Sequence, residues 1–124
     1  MTLQHVSLET RPGDVEAEVG FWALLGFARV EPPGTLGDKA TWVQRGPAQI
    51  HLLHADDPVV PPQGHVAVVA PDGDAGFDAT VAALEAAGFA VEPRERHWGA
   101  ARSFVRSPGG HRVEVMAAPP PGAG

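Results

Sequence analysis

Four residues that could share one metal ion stand at matching places in the two halves of this chain. His5 and His65 each open a His-Val run of alternating residues, and His51 and Glu114 each lie in a later apolar run. Imidazole nitrogen and carboxylate oxygen are ligands for borderline divalent ions. Three imidazoles and one carboxylate around one centre suit Zn, Ni, Co, Mn or Fe. If His51 stands back, then His5, His65 and Glu114 form the two-His, one-carboxylate face associated with iron, which leaves positions open for substrate. The plainer reading is that each is an ordinary strand residue, since a lone His on an apolar strand is more often a hydrogen-bonded core side chain. With 6 histidines and 15 acidic residues in 124, four hits at four equivalent places is roughly a one-in-a-thousand coincidence. The pattern therefore points to a metal.

The elements that must position these residues follow from hydrophobic period. Leu3 to Leu8 alternates as a strand, and Asp14 is placed to cap a helix with Val15, Val19 and Trp22 on its apolar face. Gly26 stops that helix, and Phe27 to Val30 reads as a strand. Ala40 to Gln44 and Gln49 to His54 flank a short Arg45-Gly46-Pro47 turn and should form a hairpin. After a Pro- and Asp-rich stretch from Ala55 to Gln63, the pattern begins again. Gly64 to Ala70 is a strand, and a helix capped near Asp74 presents Phe77, Val81 and Leu84. Strands follow at Phe89 to Glu92, Arg102 to Arg106 and His111 to Met116. Gln4-His5-Val6-Ser7-Leu8 matches Gly64-His65-Val66-Ala67-Val68 at an offset of 60, Gly26-Phe27-Ala28 matches Gly88-Phe89-Ala90 at 62, and His51 matches Glu114 at 63. An offset that drifts by only three residues across a whole half marks an internal repeat of a β-α-β-β-β unit. Paired with approximate twofold symmetry, two such units would bring the four ligands together.

Composition narrows the class. A chain of 124 residues with 44% hydrophobic and 19% charged residues fits one globular domain. Without cysteine it has no disulfide, thiolate ligand or Cys nucleophile. A formal charge of -6 argues against a partner that is a nucleic acid, and no apolar stretch reaches membrane-spanning length. The expected localisation is therefore cytoplasmic, with no membrane partner.

The paired His-Val strands, the Leu-Gly-Phe and Ala-Gly-Phe helix ends and the closing Gly-His-Arg-Val-Glu-Val strand resemble the vicinal oxygen chelate superfamily. That superfamily includes glyoxalase I, methylmalonyl-CoA epimerase, fosfomycin-resistance proteins, extradiol dioxygenases and bleomycin-resistance proteins. The resemblance implies an α+β fold of two βαβββ modules paired by pseudo-twofold symmetry into an open cup-shaped sheet. It implies a single glyoxalase-like domain over residues 1–117, with module one at 1–58 and module two at 59–117. Residues 118–124 form a Pro- and Gly-rich tail expected to be disordered. It also implies a divalent metal in the cup and, usually, a homodimer. The family's ligand positions match His5, His65 and Glu114. Where glyoxalase I has a carboxylate that takes part in moving the substrate proton, this chain has His51, which could ligate or act as base. His51 and Glu114 are thus the candidate catalytic residues.

Trp42, Trp98 and Arg102 are candidate substrate-binding residues. Each has a plainer reading. Trp42 fits the core, Trp98 a solvated basic segment with His97, Arg94 and Arg96, and Arg102 and Arg106 solvent or a dimer contact. His54 and His111 are expected near strand ends in solvent. Two functions follow. One is a metal-dependent lyase, isomerase or dioxygenase acting on a small oxygenated molecule. The other is a metal-free binder of a drug, as bleomycin-resistance proteins are, for which the acidic balance and the tryptophans suit a cationic ligand.

Overall fold

The computed structural model describes residues 1–122. It divides into two compact units, Met1–Val60 with Pro108–His111, and Pro61–Ser107 with Arg112 onward. Each unit contains one α-helix and one open four-stranded mixed sheet, an α+β arrangement.

In unit 1 the order is β1 (His5–Thr10), α1 (Val15–Leu24), β2 (Ala28–Val30), β3 (Ala40–Arg45) and β4 (Ala48–His54). The sheet runs β1-β4-β3-β2, with β1 parallel to β4 and the other pairs antiparallel. A parallel neighbour needs a long crossover, which α1, β2 and β3 together provide. Gly26 adopts φ 88 just past α1, the left-handed conformation that ends a helix cheaply only at glycine. Gly46 adopts φ 55 in the β3–β4 hairpin turn. Strand alternation sends Ile50 and Leu52 into the core, where Val43, Phe21 and Trp22 are also buried. Trp22 meets Phe21 and Phe27 edge-on, at ring-centroid distances of 5.4 and 5.5 Å.

The buried face of α1 differs from the sequence expectation. Val15, Glu18, Phe21 and Trp22 are buried, whereas Val19 is only partly covered. Asp14 occupies the N-cap position but makes no side-chain capping bond. Glu18 is fully buried because it has a structural partner far along the chain: its Oε1 accepts a hydrogen bond from the Gly109 N–H at 3.2 Å. The His111 Nε2–H donates to the Glu9 carbonyl at 2.7 Å. These two bonds fasten the Pro108–His111 turn into unit 1. His111 is consequently buried, not solvated as expected at a strand end.

Unit 2 repeats the order as β5 (Val66–Val69), α2 (Gly73–Ala86), β6 (Glu92–Pro93), β7 (Arg102–Arg106) and β8 (Arg112–Met116). Its sheet runs β5-β8-β7-β6, with the same mixture of one parallel and two antiparallel pairs. Phe77, Leu84, Val105, Val113 and Val115 are its buried apolar set. Gly88, at φ 94, ends α2 as Gly26 ends α1. Two expectations shift here. His65 lies just before β5 rather than within it, and the strand expected from Phe89 shrinks to Glu92–Pro93. Pro93 has no N–H for the ladder, so β6 can be only a short edge strand. Ala118 to Gly122 form neither helix nor strand; the last two residues of the expected tail, 123–124, lie outside the described residues. No helix among the described residues is long and apolar enough to cross a membrane.

The Glu18 bond predicts a contrast between two glutamates on one helix. Glu18→Ala leaves a buried N–H without its acceptor and should cost about 2–3 kcal/mol. Glu16 holds Arg29 at 2.7 Å with its side chain 80% exposed, so Glu16→Ala should cost under about 1 kcal/mol. Urea denaturation of the two variants checks this, and equal midpoints would remove Glu18 from any structural role.

Candidate metal and substrate site

The expected ligands are grouped in pairs, one pair in each unit. In unit 1, His5 and His51 stack with ring centroids 3.9 Å apart and planes 14° from parallel. Trp42, the register partner of His51 across β3–β4, stacks on His51 at 4.0 Å and 1°. In unit 2, His65 Nε2 stands 3.2 Å from Glu114 Oε1. Phe104 is the cross-strand partner of Glu114 and meets the His65 ring edge-on at 5.0 Å. Among the described residues, no three or more His, Cys, Asp or Glu side chains gather as a metal cluster.

The two pairs differ in what they can hold. The His65 Nδ1 lies 3.0 Å from the Gln63 carbonyl. A carbonyl only accepts, so Nδ1 carries the proton and a neutral His65 turns its Nε2 lone pair toward a carboxylate oxygen. Two acceptors do not rest face to face at 3.2 Å without a proton or a metal ion between them. Two donors bonded at about 2.0–2.2 Å to one tetrahedral or octahedral ion stand roughly 3.0–3.4 Å apart, so the pair fits neighbouring ligands of a single ion. The other carboxylate oxygen of Glu114 accepts from Arg102 Nη1 at 3.2 Å, with both side chains nearly buried. Arg102 is fixed in turn by donating from Nε to the Glu95 carbonyl at 2.7 Å. It therefore orients the carboxylate and leaves Oε1 for His65, the part that outer partners commonly play around a metal ligand.

The unit 1 pair is built on packing. A ring nitrogen's lone pair lies in its ring plane, so two nearly parallel stacked imidazoles cannot both aim at one ion. His5 is exposed, and besides its stack on His51 it contacts the neighbouring Gln4 Oε1 at 2.7 Å. His51 is held in place: it is buried and stacked on Trp42, and its Nε2 contacts Gln49 Oε1 at 2.8 Å. A relay of amides sets its tautomer. The Gly46 carbonyl takes the Gln44 amide N–H at 2.9 Å, so the Gln44 oxygen faces Gln49 and accepts its N–H at 2.7 Å. The Gln49 oxygen must then face His51, which places the imidazole proton on Nε2 and the lone pair on Nδ1. The His51 pKa is lowered, first by burial and then by the charge of His5, so the ring is neutral at pH 7.

The remaining candidates fall out as follows. Trp42 is half-buried and covers one face of His51, so it is a wall of the site rather than deep core. Trp98 donates its indole N–H to the Ala118 carbonyl at 3.0 Å, with the Arg102 guanidinium 5.7 Å from its ring. Arg102 is not a solvent-facing residue. His54 is half-buried against the Thr41 hydroxyl at 2.9 Å, and His97 lies exposed beside Glu95. Gln44, Gln49 and Gln63 went unnoticed in the sequence. The Gln44–Gln49 pairing was recoverable from the hairpin register alone.

A pH titration follows from the His51 environment. In chelator-treated protein His51 should titrate below the ordinary value of about 6.5. His5→Ala should raise it only part of the way, since burial, the larger cause, remains. The unfolded chain binds that proton near 6.5 and the folded chain only at lower pH. The stability is therefore complete above about 6.5 and declines as pH falls from there to the folded pKa. Imidazole C–H resonances followed by NMR read this directly, and a His51 titrating at or above 6.5 contradicts the buried stack.

Matches to known proteins identify the fold and the family. The family model for the Glyoxalase/Bleomycin resistance protein/Dioxygenase superfamily covers residues 2–115. Among solved structures, a protein from Bacillus anthracis assigned to the glyoxalase family aligns with a TM-score of 0.80 at 21% identity, over 94% of this chain and 93% of that one. Lactoylglutathione lyase from Agrobacterium tumefaciens aligns at 0.70 and 23%, over 93% and 92%. The fosfomycin resistance protein FosX from Mesorhizobium loti aligns at 0.74 and 16%, over 95% and 92%. No curated protein sequence matches significantly. At these identities the structures speak for the fold, and the family model speaks for descent: the chain belongs to the glyoxalase/bleomycin resistance protein/dioxygenase superfamily.

Proposed function

We propose that this chain is a metal-dependent enzyme of the lyase, isomerase or dioxygenase type, acting on a small oxygenated molecule through a divalent ion held by His65 and Glu114. The observation that carries this reading is the 3.2 Å approach of His65 Nε2 to Glu114 Oε1, with the other His65 nitrogen already committed to a carbonyl. Substrate or solvent oxygens complete the coordination that these two side chains begin. When bound, the ion supplies Lewis-acid polarisation of neighbouring substrate oxygens.

The protein side chains supply the rest. Arg102 keeps the Glu114 carboxylate in one orientation, and the Gln63 carbonyl keeps His65 in one tautomer. His51 is a neutral imidazole whose Nδ1 lone pair is available to take a proton, because the Gln44–Gln49 relay holds the proton it already has on Nε2. Trp42 excludes water from one face of that ring. Neutrality at pH 7 is what a general base needs, and burial, the larger cause of the lowered pKa, promotes it.

Metal analysis of protein purified without a His-tag tests the reading. The parent should carry near-stoichiometric Zn, Ni, Co, Mn or Fe, and His65→Ala with Glu114→Ala should carry none. Arg102→Ala should keep the fold and weaken metal affinity roughly 10- to 100-fold. A parent that stays empty after reloading with each ion removes the enzyme reading and leaves metal-free drug binding as the better account.

A further inference from the structure

The arginines are unevenly spread. Five of the eight fall between residues 94 and 112, in a chain whose formal charge is -6. In unit 2 three of them surround the Phe104 ring: Arg112 at 3.9 Å from its centroid, Arg94 at 5.3 Å and Arg102 at 5.7 Å. Arg102 is spent on Glu114 and the Glu95 carbonyl. Arg94 holds only the exposed Glu92, at 3.1 Å. Such an exposed pair is weak and easily exchanged. Arg112 has no carboxylate or carbonyl partner among the described residues. Its guanidinium carbon lies 3.9 Å from the ring centroid, and its N–H fork meets no described carboxylate or carbonyl.

These groups open onto a cavity of about 470 Å³ whose lining includes Pro62, Gln63, Arg94, Phe104, Arg106 and Arg112. That volume suits a small metabolite. Its charged lining is Arg94, Arg106, Arg112 and Glu92; Arg106 has a partner of its own and Arg94 is paired with Glu92, so Arg112 supplies the positive charge that an anion would neutralise. The fork geometry of a guanidinium matches the two oxygens of a carboxylate or phosphate.

We propose that this cavity is an oxyanion-binding site, in which Arg112, assisted by Arg94, holds the carboxylate or phosphate of a small organic anion whose body lies against Phe104. Phe104 also touches His65, so the site adjoins the His65–Glu114 pair. If the metal reading above holds, on which this last step rests, the substrate is an organic acid or phosphate anchored by its charge while its other oxygens face the ion. The oxyanion site itself stands without the metal.

Calorimetric titration of chelator-treated protein at low ionic strength tests the proposal, with benzoate, phenyl phosphate and neutral benzamide as probes. Benzoate or phenyl phosphate should bind at least tenfold more tightly than benzamide, the stronger of the two identifying the oxyanion class. Arg112→Ala should weaken that binding at least tenfold, Arg112→Lys should restore it only in part, and Arg29→Ala in unit 1 should leave it unchanged. Circular dichroism confirms that each variant is folded. Equal affinity for benzamide and both anions, or an Arg112→Ala variant that binds like the parent, overturns the proposal. Metal content of the same preparations is read separately. Protein that never loads metal yet binds benzoate sinks the metal reading alone, while protein that loads metal and ignores both anions sinks this one.

Discussion

The Glu114 carboxylate, with its side chain only 8% exposed, has to be matched by positive charge or by donors. Stripping an ionised carboxylate of water costs several kcal/mol, which Arg102 offsets at one oxygen and which a proton or an ion shared with His65 must offset at the other. Arg102 meets one and His65 faces the other. Arg102 comes from β7 and His65 from the residue just before β5, because β8 lies between those two strands. A central strand is the place where a buried acidic residue can be approached from two directions while its backbone stays fully paired. The strand order thus determines how Glu114 is held, and with it the orientation of any ligand bond it makes.

The two units carry the same scaffold with different chemistry. Trp42 pairs with His51 as Phe104 pairs with Glu114, at register-equivalent places. An imidazole in place of a carboxylate changes what the surroundings can be. A neutral ring is content between His5 and Trp42, where stacking and burial both favour the uncharged form. The carboxylate instead collects an arginine and an imidazole. One repeated fold thus carries a charged pair in unit 2 and a neutral aromatic stack in unit 1.

Much of the scaffold was legible in the sequence because it rests on local rules. The repeat, the helix-ending Gly26 and Gly88, and the boundaries of Arg102–Arg106 follow from period-two alternation and the backbone freedom of glycine. The candidate ligands were legible through the repeat. What escaped depends on contacts distant in sequence. Glu18 lay outside the apolar face expected for α1, but Gly109, 91 positions away, makes it the buried acceptor of a turn. His111 read as a solvated strand end, but the Glu9 carbonyl draws it inward. Arg102 read as exposed for the same reason: its partner Glu114 lies across a hairpin, and residue type alone does not show which face of a strand is covered. The stacking of His5 on His51 had no sequence signal, since two histidines assigned to one ion are indistinguishable by spacing from two that pack on each other.

The net charge of -6 suits a cationic ligand under the drug-binding reading, whereas the oxyanion site proposed for the unit 2 cavity depends on local charge rather than on the total. At physiological salt, exposed charges beyond about 8 Å are largely screened. A ligand in the cavity therefore responds to the guanidiniums that line it rather than to carboxylates spread over the rest of the surface. Arg112 and Arg94 stand within 5.3 Å of the Phe104 centroid, well inside that length. Their attraction for an anion is a local property that the acidic remainder of the chain reduces only at long range, where it slows the approach of an anion without weakening its hold. Clustering arginines in 94–112 while leaving the chain acidic elsewhere keeps the molecule far from zero charge and yet gives one cavity the opposite sign.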